Sequence, residues 1–392
     1  MTKLTGTSSE TDFRQLPVAQ MGAIVSRFEE RVDEAQRAHP PNKDEVKKAI
    51  HRKGASRSPV RLKRLSCDVI IRYGDAFADL FCEFPDDLIF IAPYDIFIGY
   101  QGPDRKGRTN PVEVMMKAAE WTDEWGTRWA HAFGGVGACP IAYPIKDWSQ
   151  LDGYLATRMP DAREPGRLDA AKPILEMHSQ TKYSVAMIHI SLFERLQGLR
   201  GMENLFVDFY TNEREVRRLA DAITNYLLEL IRSWAEIGPD AILLTDDWGT
   251  QASLMVSLDM WRKFFERFYR TVFDEAHRLG MDVFFHSCGN IMQIIPKLID
   301  IGVDVIDPVQ PGAIDLSEVA RNFGGKVAFS GGIDVQRLAS YSPRQVKDEV
   351  RSTISTLGKP FGNAYVVSPA NALTPEIPLE NLQALFEACH DQ

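Results

Sequence analysis

Two potential metal ligands end an apolar run in the second half of the chain. At residues 282–289, β-branched and aromatic side chains give way to an imidazole, a thiol and a glycine. Because residues two apart in a strand point to the same side, His286 and Cys288 can present a nitrogen and a sulfur to one point. Zinc sites in proteins use roughly three or four nitrogen, sulfur or oxygen ligands. The pair is therefore half of a zinc site, and the rest of the chain must supply its partners.

Short apolar runs alternate with amphipathic segments, and this alternation predicts the elements that position such ligands. Six runs in the second half and two upstream are typical of buried strands. They are 57–62, 87–92, 184–190, 241–245, 282–285, 304–306, 326–329 and 364–367. Helical patterns separate several of them, at 213–237, 261–279, 291–301 and 342–357. Eight buried strands alternating with helices predict an α/β protein built as a single (β/α)8 barrel, or TIM barrel.

The two ends of the chain differ in character. Residues 1–55, which close with a charged helical pattern at 42–52, predict an N-terminal helical arm. Residues 56–392 hold the eight strand candidates and predict the barrel domain. The domain boundary is therefore expected near residue 55.

Segment 120–154 interrupts the barrel pattern with aromatic residues and glycines. We interpret it as a hairpin inserted between strands two and three, overhanging the barrel mouth. Its tryptophans, Trp121, Trp125 and Trp129, recur every four residues, a helical spacing that usually reflects packing. The functional alternative is an aromatic wall for an aryl or corrin ring.

Composition narrows the classes of partner. The chain has 392 residues, 44% of them hydrophobic, with a net charge of -9 and a pI near 5.5. Nucleic acid and anionic membranes favour basic surfaces, so neither is an expected partner. The N-terminus has no apolar core and the five cysteines are scattered. We therefore predict a cytoplasmic protein with free thiols.

Polar residues collect where the predicted strands end, which is where TIM barrels place their chemistry. Strand four ends in Asp246 and Asp247, and strand alternation lets one of them face the barrel axis. The alternative for the pair is that it caps the following helix. His189, on an apolar strand, is interpreted as a core histidine.

Six stretches carry a resemblance to a known family. They are 192–204, 245–251, 286–289, 308–311, 330–334 and 375–381. Together they resemble the uroporphyrinogen decarboxylase superfamily, over nearly the whole chain beyond the first fifty residues. The resemblance implies one (β/α)8 barrel. It also implies one of two kinds of enzyme: a cofactor-free decarboxylase of uroporphyrinogen, or a zinc-dependent methyltransferase that moves methyl groups between corrinoid proteins and a thiol acceptor.

The decarboxylase branch has an arginine-rich motif, Arg-x-Pro-Val-Trp-x-Met-Arg-Gln-Ala-Gly-Arg, that holds propionate carboxylates. Here the equivalent stretch is 57–68, of which Arg57 matches, while Arg61, Lys63 and Arg64 offer other cations. The histidine of that branch on the last strand aligns with Asn371. This chain therefore departs from the decarboxylase signature.

The methyltransferase branch resembles this chain at His286 and Cys288, because its zinc is held by a His-x-Cys pair on strand five and a cysteine on strand eight. The third position again falls on Asn371. An amide oxygen is a poor zinc ligand, so we expect a carboxylate from strand four, Asp246 or Asp247, to complete the site.

We therefore expect zinc-assisted transfer of a methyl or one-carbon group, with a corrinoid protein or cobalamin as the methyl partner and a homodimer as one possible assembly. The alternatives are a metal-free decarboxylase of a porphyrinogen or smaller carboxylated ring, and a non-catalytic barrel that binds a tetrapyrrole or corrinoid. The predicted site comprises His286 and Cys288 as metal ligands, Asp246, Asp247 and Asn371 as catalytic residues, and Arg57, Gln251, Gln310 and Asp334 as substrate-binding residues.

Overall fold

A computed structural model describes residues 12–38, 43–93, 98–102, 110–131 and 137–392. Its main feature is a curled sheet of seven parallel strands in the order β1-β5-β6-β7-β8-β9-β10. These strands are β1 Leu88–Ile91, β5 Tyr183–Ile188, β6 Ala241–Thr245, β7 Asp282–His286, β8 Val305–Val309, β9 Ala328–Ile333 and β10 Tyr365–Pro369. A second sheet holds β2 Ala119–Thr122, β3 Arg128–His131 and β4 Cys139–Ala142.

Helices surround the parallel sheet. They are α1 Val18–Arg37, α2 Lys43–Ile50, α3 Cys67–Glu83, α4 Pro111–Met116, α5 Leu151–Thr157, α6 Lys172–His178, α7 Phe193–Arg200, α8 Met202–Thr211, α9 Glu213–Ile237, α10 Leu258–Trp261, α11 Arg267–Arg278, α12 Ile295–Asp300, α13 Leu316–Phe323, α14 Val335–Leu338, α15 Pro343–Leu357 and α16 Leu379–His390. A π-helical turn, Arg262–Glu266, joins α10 to α11. None of the helices in the described ranges is long and apolar enough to cross a membrane.

An extended segment closes the sheet into a barrel where the sequence predicted the first strand. Val60 bridges Val367 of β10 in parallel, and the Asp87 N–H donates to the Val60 carbonyl at 2.8 Å. On the β1 side, two carboxylates replace a strand ladder. Asp87 accepts from the Val60 N–H at 2.7 Å, and Asp86 accepts from the Leu62 N–H at 2.6 Å. The predicted strand 57–62 therefore pairs with β10 through backbone hydrogen bonds and is held to β1 mainly by side chains. We call residues 57–65, which continue to a second bridge between Leu65 and Leu373, the closing segment.

The strands are buried on both faces, as parallel strands flanked by helices must be. Alternate residues of β6 show the division: Leu243 packs inside the barrel with Phe284, whereas Ile242 and Leu244 pack outside against the helices. The predicted α/β class and TIM-barrel architecture are confirmed.

The N-terminal helices pack against the barrel. Helix α1 places Phe28 beside Phe77 of α3, with ring centroids 5.7 Å apart. Helix α2 closes the amino-terminal end of the barrel, where Val46 and Ile50 join the interior cluster. Ion pairs fix it there, because Lys43 Nζ lies 2.8 Å from Asp240. The predicted helical character of 1–55 therefore holds for its described part, and residues 1–11 and 39–42 lie outside the described residues.

The insert forms three antiparallel strands, one more than the predicted hairpin. Trp121 and Trp129 face each other across β2 and β3, and Trp125 lies in the turn between them. All three tryptophans are buried. Their spacing of four arises because they lie on two paired strands and the turn between them, and not on a helix. Residues 132–136 of the insert lie outside the described residues.

Replacing Ile50 with alanine tests whether α2 closes the barrel. Ile50 is fully buried in the interior cluster, and truncating such a side chain costs about 2–5 kcal/mol of unfolding free energy. We expect Ile50→Ala to lower the urea midpoint followed by circular dichroism. The exposed Lys53→Ala is the control, and equal midpoints for the two variants would contradict this packing.

Candidate active site

Two neighbouring strands bring the site residues to the carboxyl end of the barrel. Asp247 follows β6, His286 ends β7, and Cys288 follows two residues later. The backbone ladder continues beyond the strands, since the Asp246 N–H donates to the His286 carbonyl at 2.9 Å. This pairing holds the two strand ends side by side.

Two glycines bring the loops after β6 and β7 into direct backbone contact. A Cβ on Gly249 would lie 2.5 Å from the Cys288 carbonyl oxygen, and one on Gly289 would lie 2.4 Å from the Gly249 backbone. Gly289 also has a φ of +79°, a conformation that favours glycine. The absence of both side chains lets the loops that carry Asp247 and Cys288 meet.

The side chains of Asp247, His286 and Cys288 converge. Their ligand atoms all lie within 4.8 Å of one another. His286 Nε2 is 3.5 Å from Cys288 Sγ and 3.7 Å from Asp247 Oδ1. The same carboxylate oxygen accepts a hydrogen bond from the Cys288 N–H at 2.8 Å. The structure thus brings together the predicted pair of metal ligands and a strand-four carboxylate, and it is Asp247 that faces them.

The orientation of the His286 ring is set by a buried carboxylate. Nδ1 lies 2.9 Å from Asp307 Oδ2, so Nδ1 carries a proton and donates it, and Nε2 is turned toward Cys288. Metal-binding histidines typically use this arrangement, in which a carboxylate fixes the nitrogen that is not a ligand. Burial alone would lower the pKa of His286. Cys288 and Asp307 raise this pKa by more than burial lowers it, so it lies at about 10. Metal binding at Nε2 would therefore release a proton.

The separation of His286 Nε2 and Cys288 Sγ fits a zinc ion. With Zn–N and Zn–S distances of about 2.05 and 2.3 Å, tetrahedral ligands lie about 3.6 Å apart, close to the 3.5 Å between Nε2 and Sγ. An imidazole, a thiol and a carboxylate form a donor set that zinc accepts, with a fourth position left for substrate.

Asp307 also binds two arginines from the closing segment. Arg64 Nη1 lies 3.3 Å from both of its oxygens, and Arg61 Nη1 lies 3.4 Å from Oδ1. Burial raises the pKa of Asp307, but Arg64, His286 and Arg61 lower it far more, so its pKa lies well below the ordinary range. The carboxylate is ionised and shared by three cationic or hydrogen-bonding partners.

A cavity of about 620 Å³ lies beside this cluster. Arg61, Arg64, Phe90, Met187 and Leu243 contribute to its wall. It therefore combines an apolar surface with a cationic side, next to the converging ligand atoms.

His189 also lines this cavity, although its sequence context suggested a core residue. The Thr245 hydroxyl accepts from the Ile190 N–H at 2.8 Å and lies 3.0 Å from His189 Nδ1. Burial lowers the pKa of His189 to about 4, so the ring is neutral near pH 7.

A second cavity, of about 360 Å³, brings together four other predicted residues, Gln251, Gln310, Asp334 and Asn371. Asn371 lines both cavities. The Gln310 amide oxygen accepts from the Gly289 N–H at 2.7 Å, and Asp334 caps α14 through the Gln336 N–H at 3.0 Å. These residues lie at the barrel mouth, and two of them also hold local backbone.

Asp246, predicted as catalytic, points away from the cluster. It is fully buried, and it accepts from the N–H groups of Leu192 and Phe193 at 2.9 and 2.7 Å. The Glu194 N–H at 2.7 Å and the Tyr269 hydroxyl add two more donors. Asp246 therefore anchors the start of α7, which precedes β6 in the chain, and not the helix after β6 that the capping alternative named.

Arg57, predicted to bind substrate, lies at the other end of the barrel. It forms two hydrogen bonds of 2.7 Å with Asp87, just before β1. Amino-terminal strand ends in TIM barrels contribute to stability rather than to catalysis. A substrate role does not fit this placement, and Arg61 and Arg64 of the same segment occupy the cavity wall instead.

Glu194 is a site residue that the sequence reasoning missed. Its carboxylate accepts from the Asp247 N–H. Burial raises the pKa of Glu194 to about 8, and the neighbouring charges of Asp247 and Asp246 contribute. The family-like stretch 192–204 contains Glu194, so its position in that stretch was the available signal.

A closed parallel barrel with a polar cluster at the carboxyl ends of its strands defines a TIM-barrel protein with an enzyme-like site. Residues 190–392, more than half of the chain, match the uroporphyrinogen decarboxylase (URO-D) family. The chain belongs to this family.

Known relatives are distant. The chain is 24% identical over 174 residues to uroporphyrinogen decarboxylase from Legionella pneumophila strain Lens, covering 44% of this chain and 46% of that one. For the enzyme from Dechloromonas aromatica the identity is 22% over 240 residues, covering 61% and 64%. The chain thus spans about half to two thirds of the length of these curated relatives.

The fold has a solved counterpart. A methyltransferase from Methanosarcina mazei superimposes with a TM-score of 0.65 and 14% identity, covering 90% of this chain and 99% of that one. At this identity the likeness concerns the fold.

The two adjacent aspartates should respond differently to substitution. Asp246→Asn presents an amide NH2 to buried donors, and leaving such groups unsatisfied costs about 1–3 kcal/mol. Asp247→Asn, whose side chain is 38% exposed, should cost less. We expect a lower urea midpoint for Asp246→Asn than for Asp247→Asn, and the reverse order would contradict the assignment of Asp246 to the anchor of α7.

Proposed function

We propose that this protein is a zinc-dependent enzyme that transfers a methyl or similar one-carbon group to or from a thiol, with a corrinoid as methyl partner. The observation that carries the proposal is the convergence of Asp247, His286 and Cys288 within 4.8 Å at the carboxyl end of the barrel. Family membership supports an enzyme of this superfamily.

The buried shell around the cluster supports a zinc site rather than a chance group of polar residues. Asp307 holds His286 by its Nδ1–H, and the Cys288 N–H holds Asp247. Each ligand is therefore oriented before a metal arrives, which reduces the entropy lost on binding. Zinc bound there would lower the pKa of an incoming thiol and so increase the fraction present as the nucleophilic thiolate.

The chain itself would position the reacting groups. The cavity beside the cluster admits a small molecule, and the mouth residues Gln251, Gln310 and Asn371 lie where a larger methyl partner would approach. In the transfer, the thiol releases its proton and a sulfur–carbon bond forms. The carbon–cobalt bond breaks, and its electron pair stays with the corrinoid.

Zinc analysis tests the site. Protein purified without chelators should contain about one zinc ion per chain, because three oriented ligands converge. His286→Ala and Cys288→Ala should lose it, while Asp307→Asn should bind zinc about 10–100-fold more weakly, since it alters the orientation of a ligand. The exposed Cys139→Ala is the matched control. Less than about 0.2 zinc per chain after reconstitution would contradict a site of this kind.

Methyl transfer is tested separately with methylcobalamin and a small thiol, followed by the absorbance change of the corrinoid and by the methyl thioether formed. Chelator treatment and Cys288→Ala should abolish the reaction, and added zinc should restore it in the wild type. A zinc-loaded protein with no transfer to any thiol tested would refute the activity but not the metal site.

Decarboxylation is the second candidate, and the cationic wall of the cavity favours it. Arg61 and Arg64 lie where the carboxylates of a ring substrate would bind, and the curated relatives are uroporphyrinogen decarboxylases. Release of carbon dioxide from a porphyrinogen by chelator-treated protein would select this function. Retention of that activity in Cys288→Ala would separate it from the zinc-dependent reaction.

A further inference from the structure

Arg61 is a buried cation with an incomplete set of partners. The residue is 5% exposed and lines the large cavity. Its guanidinium carbon lies 3.4 Å from the centroid of the Phe90 ring, and its Nε has no hydrogen-bond partner among the described residues. Its ion pair, to Asp307, is long at 3.4 Å.

The single negative charge of Asp307 does not balance the positive charge of the two arginines around it. Arg61 and Arg64 both bind it, so this part of the cavity wall carries two guanidinium charges and one carboxylate charge. Asp86 also attracts Arg61, but Lys182, which lines the same cavity, offsets that carboxylate. Burying a charge without a counterion is unfavourable, and this count leaves one positive charge for a ligand to neutralise.

We propose that Arg61 binds the carboxylate of a small monoanionic substrate, whose reacting group then lies at the Asp247–His286–Cys288 cluster. A planar guanidinium pairs two N–H groups with the two oxygens of a planar carboxylate. The Arg64 Nη2 lies 3.1 Å from His286 Nδ1, so the cationic wall adjoins the cluster. A substrate held at Arg61 can therefore reach the ligand atoms without leaving the cavity.

The rest of the cavity favours a small acid over a ring with many carboxylates. Phe90, Met187 and Leu243 form an apolar surface below the cluster, which suits a short aliphatic chain. Lys63 and Lys182 also line the cavity, but Glu29 and Asp33 neutralise Lys63, and Asp86 attracts Lys182. The inference deepens the proposed function by naming a substrate class; the carboxylate contact itself does not require zinc.

Two matched ligands test the proposed contact between Arg61 and a carboxylate. 3-Mercaptopropionate and 3-mercaptopropionamide differ in charge but hardly in shape, and calorimetry would measure their dissociation constants with zinc-reconstituted and chelator-treated protein. We expect the wild type to bind the carboxylate at least about 10-fold more tightly, from charge-assisted hydrogen bonds. Arg61→Met should reduce this ratio to near one, with little change for the amide.

Two further variants, Arg344→Met and Arg61→Lys, serve as controls for Arg61→Met. Arg344→Met removes an arginine whose side chain is 93% exposed, and it should keep the wild-type ratio. Arg61→Lys keeps the charge but not the planar fork, so its ratio should fall to an intermediate value, which preserves the test if Arg61→Met does not fold.

The proposal is overturned by a wild type that does not prefer the carboxylate, including one that binds neither probe. An unchanged ratio in Arg61→Met, or in Arg61→Lys if Arg61→Met is unfolded, overturns it as well. The chelator-treated arm separates the two proposals. Carboxylate preference without zinc binding would refute the zinc-dependent function alone, whereas zinc binding and methyl transfer without the preference would refute the carboxylate site alone.

Discussion

The buried carboxylate of Asp307 is the interaction on which the site depends. It accepts from His286 Nδ1 at 2.9 Å and binds both Arg61 and Arg64. One residue therefore links the strand that carries the candidate ligands to the segment that closes the barrel. Because all four groups are buried or nearly so, moving any one of them would expose an uncompensated charge to a medium of low polarity. The ring of His286 and the cationic wall are thus fixed together.

The backbone supplies the other half of this positioning. The parallel ladder aligns the ends of β6, β7 and β8, and the contact between Gly249 and Gly289 brings the following loops together. Asp246, anchored to α7, directs its neighbour Asp247 to the opposite side. Ligand geometry therefore arises mainly from strand pairing and close backbone contact, which are rigid, and less from flexible side chains.

The sequence predicted the elements better than it predicted the orientations within them. Helix α9 matches its predicted bounds, and β6 matches its predicted strand, because long periodicity and continuous apolar runs are local signals. The direction in which the Asp246 side chain points could not be predicted from local sequence, because it depends on backbone donors of α7 some fifty residues earlier. Arg57 was misplaced for a similar reason: its partner Asp87 lies 30 residues away, at the end of the barrel opposite the site.

The seam between the closing segment and β1 has a consequence for how such a barrel can diversify. Elsewhere in the wall, neighbouring strands pair mainly through backbone hydrogen bonds, so a change in one backbone disturbs the next. Here Asp86 and Asp87 hold the Val60, Leu62 and Lys63 N–H groups through side chains. Arg61 and Arg64 lie on this segment. Substitutions among the intervening side chains can therefore alter the charge presented to a ligand while the remaining strands keep their pairing, which makes this part of the wall suited to acquiring new specificity.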